Sequence, residues 1–89
     1  MTDTDIKETA GDALRRFAAG RHRAVQAAAR WLVANENLPA PALDVAQDFE
    51  RLAIVLLGRV TVDNPQLTRC LDTLTQAKDY AVRAVLAID

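Results

Sequence analysis

Apolar positions recur along this chain at helical spacing through most of its length. Ile6, Ala10, Ala13, Phe17, Ala24, Ala28 and Trp31, with Asn35 closing the series, follow one another at three, four and seven residues, the interval that returns a side chain to one face of an α-helix. The stripe passes Gly20 without losing phase. It predicts a single first helix over about 4–35, roughly 45 Å long at 1.5 Å per residue and bent at Gly20. Asp3, Thr4 and Asp5 supply N-cap candidates, and the acids Asp5, Glu8 and Asp12 sit where the positive end of the helix dipole favours them.

The run Asn37-Leu38-Pro39-Ala40-Pro41 ends that helix, since proline lacks an amide donor and disfavours helical geometry in the residue before it. Pro41 suits the first turn of a second helix, predicted over 41–62, with Val45, Ala46, Phe49, Leu52, Ala53, Leu56 and Val60 on one side and Asp44, Gln47, Asp48 and Arg51 on another. The β-branched residues Ile54, Val55, Val60 and Val62 make a strand the rival for its second half. Helix is preferred because no alternation of period two appears and no hairpin signal follows. Asp63-Asn64-Pro65 is the strongest boundary, with Asn64 or Asp63 able to cap and Pro65 able to take the first helical position. Beyond it Leu67, Cys70, Leu71, Leu74, Ala77, Ala81, Ala84, Val85 and Ile88 form an apolar stripe that predicts a third helix over 65–88.

The segment Leu52 to Val62 is apolar on every side of a helical projection apart from Arg59, and a helix of that kind needs protein on all faces. With 89 residues, 51% of them hydrophobic and only 4% aromatic, the chain is one domain with few large side chains for a core, and small domains of this kind are marginal alone. The pattern therefore predicts an all-α fold of three helices, a long antiparallel hairpin in a single domain over 1–89, assembled as a homo-oligomeric bundle. Ile54, Val55 and Leu57, facing away from Leu52, Leu56 and Val60, are expected at the interface. The apolar run is far shorter than the roughly 20 residues that cross a bilayer, so no membrane is expected as a partner. A lone cysteine, Cys70, and no basic-plus-apolar leader point to the cytoplasm.

Candidate chemistry is sparse. The chain has no serine, one histidine and one cysteine, which excludes Ser-His-Asp catalysis and leaves Cys-His catalysis only if Cys70 meets His22. Cys70 falls on the apolar stripe and reads as a small buried hydrophobe, and His22 opposite its own stripe reads as solvated. Neither zinc spacing nor a phosphate-binding glycine loop is present. The expectation is a protein that is not an enzyme, with no metal and no cofactor. A net charge of −1 and long helices also argue against DNA as a partner.

Charge is unevenly placed. Ala13 to Asn35 contains Arg15, Arg16, Arg21, Arg23 and Arg30 and no acid, whereas Glu36 to Glu50 contains four acids and no base. Arg16, Arg23 and Arg30 at heptad spacing are expected to pair with those acids, from the same or another subunit; lining a phosphate groove is the other reading. On the third helix Arg69, Thr73, Gln76, Tyr80 and Arg83 fall on one polar line, where tyrosine can stack on a base, arginine can fork a phosphate, and Thr and Gln can bond sugar or base edges. The plain alternative is a solvent face with Asp79 and Arg83 as an ion pair. Arg59, set among Leu52 and Leu56, is expected to need an anionic partner, either a carboxylate of the assembly or a ligand phosphate.

Leu74, Ala77, Tyr80-Ala81 and Ala84-Val85, preceded by the apolar helix of Phe49 to Val62 and a short proline turn, resemble the helical hairpin of phage cyclic-oligonucleotide sponges, the anti-CBASS proteins and related anti-Thoeris sponges. The resemblance covers about 40 residues at the C-terminal end. The family's Pro-x-x-Arg-Glu turn stands here as Pro65-Gln66-Leu67-Thr68-Arg69, and Val82 stands where the family has Asn. The resemblance implies an oligomer, commonly a hexamer, acting in the host cytoplasm. It would bind a small nucleotide signal without cleaving it and so blind an immune pathway. On this reading Arg59, Arg69, Thr73, Gln76, Tyr80 and Arg83 hold the ligand; the alternative is a structural or regulatory helical oligomer that binds a protein partner through its long first helix.

Overall fold

The computed structural model describes residues 8–87, so the expected caps at Asp3 to Asp5 and the contributions of Ile6 and Ile88 lie outside the described residues. Four helices follow one another: α1 Ala10–Ala18, α2 Arg23–Arg30, α3 Ala40–Arg59 and α4 Pro65–Val85, with no strand among the described residues. The all-α expectation stands. The single first helix does not, because Gly20 adopts φ 79°, a left-handed conformation that costs glycine little and ends a helix.

Length explains the break. A helix of about 30 residues would extend roughly 45 Å, against roughly 30 Å for the 20 residues of α3, and its far end would find nothing to pack on. Folding back at Gly20 lays both halves on the second hairpin. Thr9 starts α1, its Oγ1 accepting the Asp12 N–H at 3.0 Å, and His22 starts α2, its Nδ1 accepting the Ala24 N–H at 3.1 Å. Asn64 caps α4, with Oδ1 accepting the Leu67 N–H at 3.0 Å and Pro65 in the first turn.

Two antiparallel helical hairpins form two layers. α1 runs alongside α3, with Gly11 near Glu50 and Phe17 against Gly58, while α2 follows α4, with Val25 near Thr68 and Trp31 bonded to Lys78. The domain measures 43 × 37 × 18 Å, the thickness of two helices rather than three. Between the layers lie Leu14, Ala18, Val25, Ala28, Ala29, Leu32, Ala53, Leu57, Leu67 and Leu71. No aromatic ring is fully buried among them; the largest enclosed side chains are Leu14, Leu32, Leu71 and Val25.

The apolar segment of α3 is therefore covered on one side only. Ala53 and Leu57 point into the core, so Leu57 belongs to the inside of the chain and not to an outward face. Ile54, Leu56 and Val60 are half-buried, and Leu52 and Val55 remain 42% and 48% exposed. The helix stops at Arg59, Val60 is extended, and Thr61 and Val62 belong to no regular element. On α4 the apolar stripe is wider than its neighbours can cover: Leu67 and Leu71 are buried, while Cys70, Ala77, Ala84 and Val85 face solvent.

One polar junction locks the layers at the loop end. Arg21, in the turn after Gly20, donates from Nε to Asp63 Oδ1 at 2.6 Å and from its two terminal nitrogens to the Leu57 and Val60 carbonyls at 3.1 and 2.8 Å. The other Asp63 oxygen accepts the His22 N–H at 2.6 Å. Arg21 thus satisfies carbonyls that the end of α3 leaves open, and its guanidinium, helped by the His22 N–H, holds the Asp63 carboxyl below the usual carboxylate range.

Two outcomes test this arrangement of turn and junction. Gly20→Ala meets no atom within 4 Å, so its cost is conformational, about 1 kcal/mol or a fall in Tm of roughly 4–8 °C, with Gly20→Asn milder. For Asp63, a folded-state value below that of the unfolded chain means its stabilisation is complete above the ordinary value of 3.8. It is lost as the pH falls through the lower folded value. Urea unfolding across that window should show Asp63→Asn flattening the acid limb that wild type displays, with Glu8, held low by Arg16, supplying the remainder.

Candidate functional site

The line predicted on α4 exists as an open face. Arg69, Thr73, Gln76, Tyr80 and Arg83 are all exposed, Tyr80 at 73%. Thr73 donates its hydroxyl to the Arg69 carbonyl one turn back at 2.8 Å, and among the described residues the Arg69, Gln76, Tyr80 and Arg83 side chains form no hydrogen bond or ion pair. The Asp79–Arg83 ion pair of the alternative reading does not form among the described residues either. The five do not converge in one chain: Arg69 and Arg83 are 14 positions apart, roughly 21 Å along the helix. Arg69 and Thr73 share a shallow groove of about 410 Å³ floored by Cys70, Leu74 and Ala77, and Arg83 belongs to another at the far end of α4.

Arg59 is placed differently from the expectation. It is exposed in the last turn of α3, where a cation complements the negative end of the helix dipole, and it lines none of the grooves that hold the α4 residues. The apolar side chains around it in sequence point elsewhere, so no buried charge arises that would demand a partner. Cys70, expected inside, is likewise exposed, because α4 turns only Leu67 and Leu71 fully inward.

Within one chain, Arg16, Arg23 and Arg30 do not pair with the acids between Glu36 and Glu50 among the described residues. The turn at Gly20 takes Arg16 away from Arg23 and Arg30: Arg16 binds Glu8 at 2.8 Å and lies 5.0 Å from the Phe17 ring centroid, and Arg30 lies 5.6 Å from that of Trp31. Asp48 pairs with Arg51 within α3 at 2.9 Å. Glu50, only 3% exposed, accepts the Ala34 N–H at 2.7 Å.

A second arrangement was not visible in the sequence. Arg30, Trp31, Lys78, Asp79 and Arg83 border a groove of about 440 Å³ between the end of α2 and the last turns of α4, with Asn35 on its wall. Trp31, assigned to the apolar stripe, is 62% exposed, since α2 ends at Arg30 and the chain turns away. Lys78 donates to the Trp31 carbonyl, and burial lowers its pKa against the pull of Asp79 and Glu50. The one signal in the sequence is the Arg30-Trp31 dipeptide within an acid-free segment.

No group of three or more metal-ligating side chains gathers among the described residues, and no helix among them is long and apolar enough to cross a membrane. Comparison of the chain with protein-family models, curated proteins and solved structures gives no match. Arg59→Met, acting on an exposed side chain, should change urea-unfolding stability by no more than about 0.5 kcal/mol. A loss of about 3–5 kcal/mol would instead reveal a stranded buried partner.

Proposed function

We propose that this chain is a non-catalytic helical protein that self-associates and sequesters a cyclic nucleotide or ADP-ribose-type signal. The observation that carries the reading is the α4 face, where Arg69, Thr73, Gln76, Tyr80 and Arg83 stand exposed and, among the described residues, their charged and aromatic groups are uncommitted. Arginine forks and an open phenol ring suit phosphates and a base, and the resemblance of the C-terminal hairpin to cyclic-oligonucleotide sponges points to the same ligand class. The residues are spread over about four helical turns, so a compact ligand is gripped by parts of the line from two copies.

Self-association has its own support. Leu52, Val55 and Val85 are 42%, 48% and 41% exposed, Leu56 and Leu74 are half-buried, and exposed apolar side chains of this kind are what helices bury against a partner. The small side chains Cys70, Ala77 and Ala84 let another helix approach α4 closely. Light scattering at micromolar concentration should give a mass above the 9.7 kDa of one chain, and Val55→Asp should return it to that value. A wild-type mass of one chain would refute the assembly.

Ligand binding is tested by thermal unfolding with cyclic dinucleotides, cyclic trinucleotides and cyclic ADP-ribose isomers. A true ligand at 100 times its Kd should stabilise the fold by about 2.7 kcal/mol, roughly 10–20 °C for a domain this small. Tyr80→Ala should weaken binding by about 1–3 kcal/mol without altering the oligomer. An unchanged Tm with every member of the panel would sink the proposal.

A further inference from the structure

The groove between α2 and α4 has a composition that folding alone does not require. Arg30 and Arg83 are exposed, and among the described residues neither makes a hydrogen bond or an ion pair. Lys78 commits one ammonium N–H to the Trp31 carbonyl, leaving further donors on the same nitrogen. Asn35 Oδ1 accepts the Asn37 N–H at 3.0 Å, which leaves its amide NH₂ free to donate. Against these stand Asp79 on the rim and Glu50 close enough to act on Lys78, the latter withdrawn from solvent and engaged with the Ala34 N–H.

An indole beside this cluster is the second element. Trp31 is among the most exposed large apolar side chains of the described residues at 62%, and the Arg30 guanidinium lies 5.6 Å from its ring centroid. A volume of about 440 Å³ falls in the range of small-ligand sites. An aromatic plate flanked by forked and point cations is the chemistry that takes a base on its face and a phosphate at its side.

We propose that this groove binds a nucleoside phosphate, with the phosphate held among Arg30, Lys78 and Arg83 and the base against the Trp31 indole. The ligand class rests on the sequestering function proposed above. The site itself is a different one, complete within a single chain, sharing only Arg83 with the α4 line and requiring no second copy.

Trp31 is the chain's one tryptophan, so its indole N–H gives a single, self-assigned nuclear magnetic resonance signal. Titration with adenosine monophosphate should move that signal saturably. Adenosine, lacking the phosphate, should bind at least about tenfold more weakly. Arg30→Gln and Arg83→Gln should each weaken the monophosphate about tenfold while leaving urea unfolding unchanged, and Arg51→Gln, at an exposed arginine of α3 paired with Asp48, should leave its affinity as in wild type. An indole signal that stays in place at millimolar monophosphate overturns the proposal, as do equal affinities for adenosine and its phosphate or wild-type affinity in both arginine variants. Cyclic nucleotides that stabilise the fold while the monophosphate leaves Trp31 unmoved would discard the groove and keep the sequestering function. Monophosphate binding at Trp31 with no response to any cyclic nucleotide would do the reverse.

Discussion

The Arg21–Asp63 junction fixes how the two hairpins of this chain meet. Its side chains are 15% and 22% exposed, and all the guanidinium nitrogens are engaged, on a carboxylate and on two open carbonyls of α3. A loop that ended α1 anywhere else would present no guanidinium there, and the end of α3 would leave its carbonyls to water. Gly20 and Arg21 therefore act together: the left-handed glycine turns the chain, and the arginine beside it converts that turn into a docking point 42 residues away in sequence.

Docking matters because the apolar core is thin. Its enclosed residues are leucine, valine and alanine, with four alanines among the ten that form the main cluster, and each alanine removes far less surface from water than a leucine does. Close approach is the compensation. Gly11 sits where an added Cβ would lie 3.1 Å from Val33 Cγ1 and 3.3 Å from the Glu50 carboxylate, so α1 lies closer to the turn after α2 and to the Glu50 side chain of α3 than a side chain would comfortably allow. The same economy leaves apolar surface outside, since two layers of helices cannot enclose both faces of α3 and α4.

Much of this was legible in the sequence. Caps and prolines marked α3 and α4 within a few residues: Pro41 stands in the first turn of α3 and Asn64-Pro65 opens α4 as read. Gly20 misled because the residues buried on either side of it, Leu14, Ala18, Val25, Ala29 and Leu32, keep helical spacing across the turn, one position after the stripe read from the sequence through Ala13, Phe17, Ala24, Ala28 and Trp31, and periodicity cannot distinguish a helix that continues from one that folds back. Arg59 and Cys70 misled for a related reason. Helical projection says which residues share a face, but how wide a face the neighbours cover depends on layer number, which spacing does not encode. The groove at Trp31 was invisible because it joins residues 30 and 31 to 78 and 83 through tertiary packing alone, whereas the α4 residues lie within one helix, so their shared exposure follows from spacing.

The two ends of the interlayer contact are polar in different ways. At the loop end the junction is self-contained, with donors and acceptors matched inside the chain. At the opposite end Lys78 closes α2 by bonding the Trp31 carbonyl, and Glu50 holds Ala34, yet Arg30, Arg83 and the indole beside them remain without protein partners from the other layer among the described residues. Only the docked arrangement of α2 on α4 brings these groups into one groove, because they come from both layers. Any anion that occupies the groove therefore binds the folded, docked state and not the separated hairpins, and adds its binding free energy to the packing there. A chain with so modest a core is well placed to respond to such a ligand, since the stability added on binding is large beside the stability it begins with.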